Sequence, residues 1–118
     1  MDIYWIVVHS HFPVDGGLKF HAMLTLGQIL DTLGTHRTSL SQRYGIRTIA
    51  VFGSYVRQEQ TPQSDIDVLV EFERPLGLAF VDLADELENI LGMRVDLVSR
   101  GALNERGYES IASDLRYV

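Results

Sequence analysis

Two aspartates, Asp65 and Asp67, are separated by one residue and followed directly by the apolar run Val68–Phe72. In a strand, successive side chains point to opposite faces, so both carboxylates share one face while Ile66 and Val68 share the other. Carboxylates that close repel unless a proton or a cation lies between them. A divalent metal is the simplest occupant for such a pair at the start of a buried strand. Upstream, another apolar run, Ile49–Phe52, ends at Gly53-Ser54, with ten residues between Ser54 and Asp65. Gly53 permits a sharp turn and close backbone approach. A helix starting at Ser54 would present free N–H groups as an anion site beside the metal. Metal and phosphate cradle together point to nucleotide chemistry.

A third carboxylate, Asp96, interrupts the apolar strand expected over Arg94–Val98. An acid there is costly without a partner, and the site holding Asp65 and Asp67 would supply one. The competing reading is an edge-strand Asp facing solvent. Ser54 is expected to donate to a phosphate oxygen or to serve as a helix cap. Arg57 would meet a phosphate or pair with a nearby acid to hold its loop, the second being favoured.

These residues carry a resemblance. Gly53-Ser54, ten residues, then Asp65-x-Asp67 resembles the signature of the DNA polymerase beta-type nucleotidyltransferase superfamily. The wider wording, Gly-Ser-x-x-Arg and Ser-Asp-Ile-Asp-x-x-Val, is similar to the minimal nucleotidyltransferases, over about residues 23–118. That family often has Gly after the motif Arg, where this chain has Gln58. The resemblance implies transfer of AMP from ATP with Mg²⁺, in an in-line displacement using two metals. It implies Asp65, Asp67 and Asp96 as catalytic and metal-holding acids, and Gly53, Ser54 and Arg57 at the phosphates. It further implies the antitoxin half of a type VII-like toxin–antitoxin pair, whose partner is a HEPN-domain ribonuclease toxin modified on a tyrosine. Two rivals remain open. One is a binding antitoxin that neutralises by association; the other is a small-molecule, antibiotic-type nucleotidyltransferase, which normally carries an extra substrate domain.

The elements that must position these residues follow from periodicity. Thr25-x-x-Gln28 fits a capping box, with Leu24 and Ile29 placed as a hydrophobic staple. Leu26, Ile29, Leu30, Leu33, Leu40 and Tyr44 recur at helical spacing until Gly45. After the strand Ile66–Phe72, a second helix carries Phe80, Leu83, Ala84, Leu87 and Leu91 inward, with Asp82, Asp85, Glu86 and Glu88 toward water and Gly92 as its stop. The tail reads as a short helix with Tyr108, Ile111, Ala112 and Leu115 inward, and its last residues are expected to pack on the sheet or a partner. The expected fold is α/β, a small mixed sheet with helices packed on one side.

Residues 1–22 read as an extension outside the family-like domain 23–118. Ile3–Val8 suggests a strand, and His9 and His11 would share a face if extended, more simply as exposed or packed side chains than as ligands. The chain has 118 residues, enough for one domain with a real core. A net charge of −6 argues against direct nucleic-acid binding. With no cysteine, disulfides and thiolate metal sites are excluded. No apolar run approaches a membrane span and the start lacks a good leader pattern, so a cytoplasmic protein is expected.

Overall fold

The computed structural model describes residues 24–118. The expected strand Ile3–Val8, the His9/His11 pair and the extension 1–22 lie outside the described residues. Helix α1 (Leu26–Tyr44) starts at the expected capping box: Gln28 N–H donates to Thr25 Oγ1 at 3.1 Å, and Thr25 N–H donates to Gln28 Oε1 at 2.8 Å. It stops at Gly45, whose φ of 67° is left-handed. Strand β1 (Ile46–Phe52) leads into a single helical turn, α2 (Ser54–Arg57), then β2 (Ile66–Phe72). Helix α3 (Ala79–Leu91) is followed by β3 (Val95–Ser99), a 3₁₀ turn (Arg100–Ala102), α4 (Glu105–Ala112) and the two-residue strand β4 (Arg116–Tyr117).

The sheet has four strands in the order β3-β2-β1-β4. Strand β1 pairs antiparallel with both β2 and β4, and β2 pairs parallel with β3, so the sheet is mixed as expected. Its two faces differ. On one, Ile49 and Val51 of β1, Ile66, Val68 and Val70 of β2, and Val95 and Leu97 of β3 meet Ile29, Leu33 and Leu40 of α1 and Leu83, Leu87 and Leu91 of α3. On the other, Phe52, Leu69 and Val98 are covered by Leu103 and by Tyr108, Ile111 and Leu115 around α4. The long helices therefore sit together on one side, and the short C-terminal helix covers part of the opposite face. The tail finishes as the edge strand β4, where Val118 N–H donates to Ile49 O at 2.9 Å.

One expectation about α3 needs correction. Glu88 does not face water: it is 4% exposed, and its Oε2 accepts the Val95 N–H at 3.1 Å. A helical acid placed against the first residue of β3 satisfies a backbone donor that has no place in the ladder. Glu86 is drawn in as well, by Arg43 of α1 at 2.5 Å and by the Tyr44 hydroxyl at 2.9 Å. Among the described residues, no helix is long and apolar enough to cross a membrane.

Candidate active site

Strand register brings the predicted acids together. Asp67 lies beside Phe52 in the antiparallel pair and beside Asp96 in the parallel pair. Alternation puts Asp67 and Asp96 on the same face as Leu69 and Val98, opposite the long helices. β3 is an edge strand of the sheet, yet Asp96 is half-buried and does not simply face solvent: its carboxyl shares a hydrogen bond with that of Asp67.

This proximity has an electrostatic consequence. Burial first, then the negative charges of Asp96 and Asp65 and the hydrogen bond to Asp96, push the Asp67 carboxyl up to about 7. Arg57 pulls the other way and is outweighed. At neutral pH Asp67 is thus poised to hold a proton and donate it to Asp96. The same repulsion makes the pair a sink for any cation that replaces the proton.

Gly53 explains how Asp67 fits against the turn. Its φ of 86° and ψ of −150° belong to a region used essentially by glycine alone. A β-carbon there would run into the Asp67 carboxylate, whose Cγ would be 3.0 Å away. Gly53, not Ser54, is the cap residue of α2: its carbonyl accepts from Val56 N–H at 3.0 Å and Arg57 N–H at 3.1 Å. Ser54 is the first helical residue and half-buried, so its hydroxyl is not used as the cap. The turn ends at Gln58, which adopts a left-handed φ of 60° where a glycine would be unstrained.

Arg57 is engaged locally. Its Nε donates to Glu59 at 3.0 Å and its Nη1 to Asp114 at 2.7 Å, tying α2 to the segment after α4. This is the loop-holding role favoured from the sequence. Asp114 was not anticipated, because nothing local marks an acid 57 residues away as a partner.

Asp65 stands just before β2, with its side chain 18% exposed. Its Oδ1 lies 2.9 Å from Arg94 Nε, an ionic approach outside good hydrogen-bond direction. Arg94 is the second residue that sequence reasoning missed. Its only signal was a lone basic side chain two positions before Asp96.

The donors here are all carboxylate oxygens, which suits a hard divalent cation such as Mg²⁺. Asp67 and Asp96 fit it as they stand, by donor type and by their mutual repulsion. Among the described residues, however, no three His, Cys, Asp or Glu side chains are already arranged as a metal-holding group. A separate groove of about 800 Å³, lined by Phe72, Arg74, Leu76, Phe80 and Arg100, lies at the other end of β2 and contains none of the three acids.

Comparison with known proteins identifies the family and the fold. Residues 33–118 match the model of the nucleotidyltransferase domain family. A protein from Methanocaldococcus jannaschii, named provisionally as a protein adenylyltransferase, is 49% identical over 98 residues, covering 81% of this chain and 100% of that protein. The protein adenylyltransferase MntA of Thermococcus cleftensis is 45% identical over 98 residues, covering 82% of this chain and 99% of MntA. A solved structure, described provisionally as a minimal nucleotidyltransferase, superposes with a TM-score of 0.63 at 35% identity, covering 81% of this chain and 98% of the other.

Proposed function

The chain belongs to the nucleotidyltransferase domain family, and we propose that it transfers AMP from ATP to a hydroxyl of another protein. The observation that carries this reading is the hydrogen-bonded pair Asp67–Asp96 packed against the glycine turn at Gly53-Ser54. The relatives named as protein adenylyltransferases support the choice of nucleotide and of a protein acceptor.

Each residue then has a task. Asp65, Asp67 and Asp96 would hold Mg²⁺, which when bound supplies neutralisation of charge on the phosphates. Ser54 and the backbone around Gly53 hold and orient the phosphates, since the half-buried hydroxyl is not used as a cap and no β-carbon blocks approach. Arg57 keeps that turn in place through Glu59 and Asp114, and adds positive charge beside the acids. Asp96 takes the proton of the attacking hydroxyl, which becomes bonded to the α-phosphorus as pyrophosphate leaves.

The acceptor we propose is a tyrosine of a HEPN-domain ribonuclease toxin, so that this protein acts as the antitoxin of a type VII-like pair. The described residues form one domain running from α1 to β4. A protein acceptor would bring its own half of the cleft. Incubation with a candidate HEPN partner and ATP labelled on either the α- or the γ-phosphate tests this. Transfer of α-label alone to the partner is expected, and its loss in Asp67→Asn. A partner that binds and is silenced without label would replace enzymatic transfer by neutralisation through association.

A further inference from the structure

Arg94 is unusual in bridging both strands that carry the acids. Its Nε faces Asp65 Oδ1 at 2.9 Å, and its Nη2 donates to Gln63 O at 3.0 Å. Its own carbonyl accepts the Ile66 N–H at 2.9 Å. One residue therefore grips the backbone on either side of Asp65 as well as its carboxylate, and does so two positions before Asp96. The turn Thr61–Ser64 just before Asp65 is itself held by Thr61 N–H on Ser64 Oγ at 2.9 Å and Ser64 N–H on Thr61 O at 2.9 Å.

We propose that Arg94 is the positioning residue for Asp65: it occupies one carboxylate oxygen and leaves the other to complete the cation site with Asp67 and Asp96. This rests on the reading of Asp65 as a metal-holding acid. An ionised carboxylate has about four lone-pair sites on its two oxygens, so one partner does not exhaust it. Residues that orient a ligating carboxylate typically change metal affinity by about 10–100-fold when replaced. The guanidinium suits the task because its planar fork reaches Asp65 and Gln63 O at once. A lysine ammonium carries the same charge but is a point donor on a flexible stem.

Charge and orientation predict opposite results, which makes the proposal testable. Arginine as a mere positive charge beside three acids would repel a cation, so its removal would tighten binding. Arginine as a positioning group would leave Asp65 loose when replaced, so binding would weaken even if the charge were kept. Mn²⁺ is the probe, with the free ion measured by electron paramagnetic resonance without nucleotide. The proteins are wild type, Arg94→Lys, Arg94→Gln, Asp65→Asn, Asp67→Asn and the double variant Arg94→Lys/Asp65→Asn. Metal-free thermal unfolding checks that each is folded, and Arg94→Gln serves if Arg94→Lys is not.

The expected result is about 10-fold weaker Mn²⁺ binding in Arg94→Lys, with no further loss when that change is added to Asp65→Asn. Unchanged or tighter binding in Arg94→Lys overturns the proposal alone, as do losses that add fully in the double variant, since Arg94 would then act without Asp65. Wild type that binds Mn²⁺ no better than Asp67→Asn overturns the proposal together with the metal reading beneath it.

Discussion

The two faces of the sheet are built to different rules. The face under α1 and α3 is a continuous apolar layer in which Ile29, Leu33, Val51, Ile66, Val68, Leu83 and Leu97 are fully buried. The buried acid on that side, Glu88, is satisfied by the Val95 N–H. The opposite face has a smaller apolar patch around Phe52, Leu69 and Val98, and beside it two carboxylates in register on neighbouring strands. The turn that follows β1 and packs against Asp67 holds a glycine in a conformation closed to other residues and ends at a non-glycine in the left-handed region. Strain and like charge thus concentrate where the chemistry is proposed, on a scaffold whose other side is packed well enough to tolerate them.

The contrast is broken most strongly from the packed side. Leu33→Ala should cost about 2–5 kcal/mol, because a fully buried side chain is removed from a close-packed layer. Denaturant unfolding measures it, and transfer per folded molecule should be unchanged. Gly53→Ala comes next, at about 1–3 kcal/mol for the backbone alone. Here the added β-carbon displaces Asp67, so transfer should be lost even in the folded fraction.

Asp67→Asn should separate the faces in the other direction. The folded carboxyl titrates at about 7, above the ordinary carboxylate range, so the folded state binds more protons than the unfolded one between roughly pH 4 and 7. Its stabilising contribution is fully present below the ordinary carboxylate pKa and is lost as pH rises through about 7. Metal-free protein should therefore lose stability between about pH 4 and 7, by on the order of 1–3 kcal/mol after solvent screening. Asp67→Asn should flatten that dependence in thermal unfolding, equal or exceed wild type in stability at pH 8, and abolish transfer. The smallest change is Gln58→Gly, which relieves a left-handed residue and should stabilise by about 0.5–1 kcal/mol without altering transfer.

What could be read in advance followed local rules. The β2 bounds are legible because an acid–apolar alternation runs straight into Val68–Phe72, and the start of α1 because a capping box is a four-residue pattern. The acids were legible because strand alternation alone puts Asp65 and Asp67 on one face, and an acid inside β3 demands a neighbour. What escaped was set by long-range packing. Strand β4 has two residues, too few for any period. Burial of Glu88 depends on where β3 begins, and the partners of Arg57 and Arg94 come from distant chain segments. A helical turn starting at Ser54 was legible, but the choice between that and Ser54 as its cap turned on the backbone angles of Gly53, which composition does not reveal.

The most direct test of nucleotidyl transfer at this site is intact-mass spectrometry of a candidate HEPN partner after incubation with this protein, Mg²⁺ and ATP, beside Asp65→Asn/Asp67→Asn. The partner is expected to be heavier by one or more AMP units with wild type and unchanged with the double variant. An unchanged mass with both, from a partner that nonetheless binds and is silenced, would contradict it.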